Sequence, residues 1–152
     1  MLRKMRTMLA TALVVAALLP LSAGHALAAT NPGCGYSCDG MDPESIGMED
    51  ANGGFHLCKN SAITAREISI PGNGNVELRY STYCRIAWAR GIAGDGSHSI
   101  KVESFNANGT LRRTELGGGG LSYTRVVNDA GLTARACVFQ FASQSYACTS
   151  RY

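Results

Sequence analysis

The sequence predicts an all-β protein: a small antiparallel β-sandwich or barrel stabilised by disulfides, with or without one short helix. Clusters of Gly, Asn, Asp and Pro recur at intervals of roughly 10–20 residues, between short runs rich in Val, Ile, Thr, Tyr and Phe. These runs alternate polar and apolar side chains, as half-buried strands do. Six cysteines are available to cross-link the strands.

The amino terminus has the pattern of a secretory signal peptide. The basic stretch MLRKMR precedes an apolar run from Met8 to Leu21, and Ala26 and Ala28 occupy the small-residue positions before a cleavage site. We therefore predict a signal peptide over residues 1–28 and a secreted, extracellular mature protein. The apolar run is shorter than the ~20 residues that span a bilayer, so no membrane insertion is expected after cleavage.

Removal of this leader changes the charge balance. The whole chain has 14 basic and 11 acidic residues, and Arg3, Lys4 and Arg6 belong to the leader, which leaves 14 − 3 = 11 basic against 11 acidic residues. A protein that binds nucleic acid needs an excess of Lys and Arg to neutralise phosphates. The mature composition therefore indicates no nucleic-acid partner.

All six cysteines lie beyond the leader, and an even number in an exported chain predicts three disulfides. They are Cys34, Cys38, Cys58, Cys84, Cys137 and Cys148. A zinc site would require Cys-x-x-Cys units or nearby histidines, which these spacings do not supply, so neither a metal nor another cofactor is predicted. Within CVFQFASQSYAC, we predict that Cys137 and Cys148 face each other across a hairpin that turns near Ala142 and Ser143.

The mature chain divides into a disulfide-anchored loop segment over residues 29–54 and a single antiparallel β domain over residues 55–152. The loop segment carries a cluster of acids, which fits a solvated loop better than a calcium site because the EF-hand spacing is absent. These acids are Asp39, Asp42, Glu44, Glu49 and Asp50. The next run, from Ala62 to Ile68, fits a short helix or a strand equally well.

Period-two patterns then mark strands in VELRY, SIKVESF and CVFQF. In the first, Val76, Leu78 and Tyr80 share one face, and in the second Ile100 and Val102 oppose Lys101 and Glu103. In CVFQF, the alternation places Val138 opposite Phe139. The turn clusters PGNGN, GDGS, NANGT and NDAG separate such runs and predict tight connections.

The stretch VELRYSTYCRIAWAR holds the only tryptophan. Its alternation places Ile86, Trp88 and Arg90 on one face, with Arg85, Ala87 and Ala89 on the other. One interpretation is a core tryptophan beside a disulfide at Cys84. The other is a partly exposed binding surface, with Trp88, Arg79, Arg85 and Arg90 as candidate binding residues, a composition typical of interface hot spots.

The sequence gives little support to catalysis. Outside the leader the only histidines are His56 and His98, and the latter stands beside Asp95 and Ser97 in a run that reads as a polar turn. No Gly-x-Ser-x-Gly nucleophile elbow is present. We therefore predict no catalytic residues and a protein that is not an enzyme.

Two segments together resemble the YjfA-like family of small exported proteins, which are frequent in actinobacteria. They are CDGMDPESIG, from Cys38 to Gly47, and VELRYSTYCRIAWAR. The resemblance implies a secreted, compact, disulfide-bonded domain and supplies no catalytic residues. The family pattern places a cysteine shortly after the Asp-Pro pair, where this chain has Met48, so the resemblance implies that Cys58 takes over that bridge.

From these observations we expect a secreted, non-enzymatic binding protein whose partner is another secreted or cell-surface protein. An adaptor subunit of an exported toxin or cell-surface assembly is one form of this. The alternatives are a small secreted hydrolase or hydrolase inhibitor that uses His98, Asp95 or the acidic loop. A further alternative is a carbohydrate-binding module, in which Trp88, Tyr80, Tyr83 or Tyr123 would stack on the sugar.

Overall fold

The computed structural model describes residues 33–71, 74–91, 99–117 and 122–152. The predicted signal peptide over residues 1–28 lies outside the described residues. So does the run that contains Asp95, Ser97 and His98.

The described residues form ten strands and two short 3₁₀ helices, at Gly35–Cys38 and Cys58–Ser61. The strands are β1 Gly47–Glu49, β2 Phe55–Leu57, β3 Ala62–Ile70, β4 Gly74–Ser81, β5 Ile86–Gly91, β6 Ile100–Phe105, β7 Leu111–Gly117, β8 Val127–Asn128, β9 Thr133–Gln140 and β10 Ser145–Cys148. Within these ranges no helix has the length and hydropathy to cross a membrane.

Two four-stranded antiparallel sheets pack face to face. The first sheet has the order β3-β4-β5-β8 and the second sheet has the order β10-β9-β6-β7, while β1 and β2 form a separate ribbon. Alternate residues of both sheets fill the sandwich core between them. Its buried members are Ile70, Val76, Leu78, Ala87, Ala89, Ile100, Val102, Val127, Ala134, Ala136 and Val138. The all-β prediction is confirmed, and the structure adopts the sandwich alternative.

The run from Ala62 to Ile68 is a strand and not a helix. It lies within β3, which pairs with β4 from Ala62↔Ser81 to Ile70↔Gly74, with one irregularity between Thr64 and Arg66. This pairing gives β3 backbone hydrogen bonds along the one edge that faces β4. Tertiary pairing therefore decides between two conformations that local sequence allowed equally.

The predicted turns join neighbouring strands where the structure describes them. In NANGT, the Asn106 N–H donates to the Thr110 carbonyl between β6 and β7, and Gly109 has φ +82°. In NDAG, Gly131 has φ +72° between β8 and β9. A left-handed backbone of this kind favours glycine, which explains its place in each turn.

Three disulfides join Cys34 to Cys38, Cys58 to Cys84 and Cys137 to Cys148. The prediction of three bridges is confirmed, and so is the hairpin bridge, since Cys137 and Cys148 are paired across β9 and β10. The expectation that Cys58 replaces a missing cysteine of the amino-terminal segment is wrong. Cys58 is bonded to Cys84, which is fully buried in the turn before β5.

Backbone hydrogen bonds attach the amino-terminal segment to the sandwich. The bond between Cys34 and Cys38 lies within the segment and does not connect it to the sheets. Instead, the Cys34 N–H donates to Cys84, the Gly40 N–H donates to Val126, and the Val126 N–H donates to Met41. The segment is thereby held across the first sheet.

This segment covers a second core on the outer face of the first sheet. Because β5 alternates, Ala87 and Ala89 enter the sandwich core while Ile86 and Trp88 point to the opposite side. The buried members of the second core are Cys38, Ile46, Cys58, Cys84, Ile86, Trp88 and Val126. Strand β5 is therefore buried on both faces from Ile86 to Ala89.

Removal of the hairpin bridge by the double substitution Cys137→Ser and Cys148→Ser should lower the free energy of unfolding by about 2–3 kcal/mol. The bond closes a loop with a sequence separation of 11, and its loss frees the corresponding entropy in the unfolded chain. Urea denaturation of both proteins measures the difference. An unchanged midpoint would show that the bridge does not stabilise the fold.

Candidate functional site

The four candidate binding residues do not form one exposed surface. Trp88 has only 4 % of its surface exposed and is a member of the second core. Arg79 lies directly opposite Trp88 on β4 and therefore shares its face of the sheet. Arg85 lies in the turn before β5 with a left-handed backbone, φ +54°. The structure thus shows a core tryptophan, in agreement with the first of the two interpretations.

Arg79 and Arg90 neutralise a buried carboxylate beside Trp88. Glu77 is 7 % exposed, and Arg90 approaches its Oε2 atom at 2.6 Å from Nη2 and 2.8 Å from Nε. Arg79 Nη1 lies 3.7 Å from the same oxygen and also donates to Thr64 Oγ1. Burial and the nearby Arg90 lower the pKa of Arg79. These two arginines have a structural task, and only Arg90 is largely exposed.

A buried polar cluster joins the amino-terminal segment to the second sheet. Arg112 donates to both oxygens of Asp39, at 2.6 and 2.9 Å, and the Asn128 N–H donates to Asp39 Oδ1 at 2.7 Å. Burial disfavours the charge on Asp39, but the hydrogen bonds from Arg112 and Asn128 outweigh it and lower the pKa of this carboxyl. The bidentate geometry is the strong form of this ion pair.

Next to this cluster, Asp129 is buried without a matching partner. It is 6 % exposed, and no polar atom of the described residues bonds to its Oδ1 atom. Burial raises the pKa of Asp129 to about 7, although the nearby cations Arg85 and Arg112 act in the opposite direction. An unpaired buried acid is costly once it ionises, so this residue makes stability depend on pH.

The acids of the amino-terminal segment pair with separate cations and do not converge on one point. Asp39 binds Arg112, Asp42 binds Arg125 at 2.8 Å, and Glu44 binds Lys59 at 2.8 Å. In the described residues, Glu103, Cys137 and Cys148 bring potential metal-ligand atoms within 4.8 Å of one another. The two sulfurs are bonded to each other, so this group does not present thiolates to a metal.

Asp50 and His56 form a pair that sequence reasoning missed. Asp50 Oδ1 accepts the backbone N–H groups of Asn52 and Gly54, and its Oδ2 atom lies 2.7 Å from His56 Nε2. The hydrogen bonds from His56, Gly54 and Asn52 lower the pKa of Asp50. The only signal in the sequence is an Asp-x-Asn-Gly-Gly turn that brings two residues six positions apart together across β1 and β2.

The outer face of the second sheet carries a group of apolar, aromatic and charged side chains, which we call the aromatic face. It consists of Lys101, Glu103, Leu116, Arg135, Phe139, Phe141 and Tyr146. The strand registers place Lys101 beside Leu116, Glu103 beside Arg135, and Tyr146 beside Phe139. In contrast to the outer face of the first sheet, no described segment covers it.

Ring contacts and ion pairs order this aromatic face. Phe139 packs edge-on against Phe141 and Tyr146, with ring centroids 5.3 and 5.2 Å apart. Lys101 lies 4.1 Å from the ring centroid of Tyr146 and 2.5 Å from Glu103, which Arg135 approaches at 2.7 Å. Burial opposes the charge on Glu103, but hydrogen bonds from both cations lower its pKa. The face therefore carries two cations and one carboxylate, an excess of one positive charge.

Comparison with known proteins places the chain in a family. No curated protein and no solved structure matches it. The family model described as "Protein of unknown function (DUF2690)" matches residues 36–137, a range that includes most of the amino-terminal segment, all of the first sheet and most of the second. Since this match covers more than half of the sequence, the chain belongs to the DUF2690 family of proteins of unknown function.

Proposed function

We propose that this protein is a secreted, non-enzymatic binding protein that contacts another extracellular protein through the aromatic face. Three disulfides fit an oxidising environment outside the cell. The predicted signal peptide and the resemblance to the YjfA-like exported proteins support the same location. An adaptor subunit of an exported toxin or cell-surface assembly is a concrete form of this function.

The exposure of apolar side chains on the aromatic face carries the proposal. Leu116 and Phe141 are 66 % and 52 % exposed, although both belong to residue types that normally lie in the core. Exposed apolar patches mark interaction sites in soluble proteins, and Phe141 extends such a patch through its ring contact with Phe139. The hairpin disulfide and the ring contacts hold the face rigid, which reduces the entropy lost on binding.

The charges on the aromatic face indicate the chemistry of the partner. Lys101 and Arg135 exceed the single carboxylate of Glu103 by one charge, and Arg151 adds another cation over the neighbouring ring of Phe105, at 3.5 Å from its centroid. Aromatic and Arg side chains are enriched in protein interfaces. We therefore propose a protein partner that offers an apolar patch bordered by Asp or Glu side chains.

The double substitution Leu116→Ser and Phe141→Ser should weaken this binding. Mature protein is immobilised, and culture supernatant of the source organism is passed over it. Wild type should retain a stoichiometric partner, which is then purified and titrated against both proteins. Loss of two exposed apolar side chains of the aromatic face should weaken the complex by about tenfold or more, because interface energy concentrates in a few such residues.

A matched control is Tyr36→Ala, which removes an aromatic side chain that is 65 % exposed outside the aromatic face. It should bind as wild type does, and binding of wild type should weaken at high salt because of the charge excess. Recovery of the lone monomer contradicts the proposal. Equal retention by the double variant contradicts the assignment of the face.

A further inference from the structure

A pocket of about 190 Å³ lies beside the Asp50–His56 pair. It is on the outer side of the first sheet, away from the sandwich core. His56, Leu57, Asn60, Ser61 and Tyr83 line it. The rings of His56 and Tyr83 form two of its walls, with centroids 5.3 Å apart and planes inclined by 52°. The pocket is too small for a drug-sized molecule, and it suits one ring-sized group with an apolar side.

Asp50 fixes the proton on one nitrogen of His56. Asp50 Oδ1 accepts two backbone N–H groups, and the hydrogen bond from His56 makes the largest contribution to lowering the pKa of this carboxyl. An ionised carboxylate only accepts hydrogen bonds, so the Nε2 atom of a neutral His56 carries the proton. Among the described residues, Nδ1 has no hydrogen-bond partner, which leaves its lone pair for a ligand hydroxyl.

A second polar group of the pocket is also available. The side-chain amide of Asn60 has no hydrogen-bond partner within the described ranges, and the residue is exposed. Ser61 differs, because its hydroxyl already contacts Ser81 Oγ at 2.7 Å. An amide offers both a donor and an acceptor, the combination that adjacent hydroxyl groups require.

The charges near the pocket are already paired. Lys59 binds Glu44 at 2.8 Å, and Asp50 binds His56 at 2.7 Å. The pocket therefore favours a neutral ligand, with an apolar side for the Tyr83 ring and hydroxyls for His56 and Asn60. We propose that this pocket binds one neutral sugar residue, stacked on Tyr83 and hydrogen-bonded to His56 Nδ1 and the Asn60 amide. This site is separate from the aromatic face and does not depend on the function proposed for that face.

NMR titration of the mature protein with glucose, N-acetylglucosamine and the N-acetylglucosamine tetramer tests the proposal. Saturable shifts of His56, Asn60 and Tyr83 with a monosaccharide support it. Saturation by the tetramer at a much lower concentration identifies a polymer as the source of the sugar residue. Absence of saturable shifts with all three probes, at roughly 100 mM monosaccharide, a hundredfold above a millimolar Kd, overturns it.

Variants of the pocket residues distinguish sugar binding at this site from nonspecific contact between sugar and protein. His56→Ala and Asn60→Ala should each weaken binding by about two- to tenfold, the effect of one lost hydrogen bond. Tyr83→Leu keeps apolar bulk and should abolish the stacking contribution, while Tyr36→Ala should bind as wild type does. Equal binding by all of these variants overturns the assignment.

Asp50→Asn tests the positioning role of the carboxylate. Asparagine no longer requires the proton on Nε2, so the ¹⁵N chemical shifts of His56 should report a change in tautomer population, together with weaker sugar binding. Unchanged ¹⁵N shifts in this variant would show that Asp50 does not set the state of His56.

Discussion

Substitution of Trp88 by alanine should lower the free energy of unfolding by about 3–5 kcal/mol, the usual cost of removing a buried large aromatic side chain. Trp88 is 4 % exposed and packs in the second core with Cys84, Ile86 and Val126. The amino-terminal segment covers Trp88, so removal of the indole side chain leaves a cavity. The disulfide between Cys58 and Cys84 prevents the neighbouring chain from closing this cavity. Urea denaturation followed by circular dichroism measures the loss.

Two controls make this result specific. Tyr152→Ala removes an aromatic residue that is 40 % exposed and should cost much less. Because the chain has one tryptophan, its fluorescence in the wild type reports on this site alone, and iodide should quench it poorly. Efficient quenching, with little loss of stability in Trp88→Ala, would instead support the binding-surface interpretation of this residue.

Substitution of Asp129 by asparagine should stabilise the protein at pH 8 by up to roughly 4 kcal/mol and have little effect at pH 4. The folded protein holds the proton of Asp129 up to a pKa of about 7, whereas the unfolded chain releases it near 3.8. Between these two values the folded state binds one proton more than the unfolded state. The contribution of Asp129 to the free energy of unfolding of the wild type therefore falls as pH rises from 3.8 to about 7. Above this interval the contribution is constant.

The amide of asparagine cannot ionise, so the variant lacks this contribution to the pH dependence. Denaturation of wild type and variant at pH 4, 6 and 8 measures the divergence. Asp42→Asn is the matched control, since Asp42 forms a half-exposed pair with Arg125 and should change stability little. Parallel pH profiles for wild type and Asp129→Asn would show that Asp129 is ionised in the folded protein at no cost.

Local patterns predicted β6, the last part of β9 and the hairpin bridge. In SIKVESF, the alternation of Ile100 and Val102 with Lys101 and Glu103 is the alternation between core and surface that the structure shows. The same logic placed Cys137 and Cys148 opposite each other, because a hairpin pairs residues at equal distances from its turn. Strand alternation and hairpin pairing depend on residues that are close together in the sequence, so local sequence patterns predict them.

From Ile86 onward the alternation in RIAWAR was also correct, but it did not reveal that both faces of β5 are buried, and Arg85 lies in the preceding turn. Ala87 and Ala89 face the sandwich core, and Ile86 and Trp88 face the second core. The cover over Trp88 comes from residues such as Cys38 and Ile46, about 40 to 50 positions earlier. A period-two pattern distinguishes two faces of a strand and does not tell which distant segment lies on each.

In the candidate sites, too, local sequence patterns did not reveal contacts between residues that are distant in the chain. The arginines around Trp88 looked like a free binding surface, whereas Arg79 and Arg90 both pair with the buried carboxylate of Glu77. The Asp50–His56 pair has only a short Asp-x-Asn-Gly-Gly turn as its signal, and the aromatic face combines residues from different strands with no motif of fixed spacing. Asp129 looked like an ordinary turn residue, and only its burial in the folded protein raises its pKa, against the opposing effect of the nearby Arg85.

By itself, the sequence determined the all-β class, the three disulfides and the strand faces, because alternation, turn residues and cysteine number act over short distances. The tertiary structure alone decided the pairing of Cys58 with Cys84, the strand at Ala62–Ile70 and the cover over Trp88. It also decided which charges are neutralised and which apolar side chains stay exposed. These outcomes depend on which segments, distant in sequence, pack together and exclude water. No local sequence pattern specifies which distant segments these are.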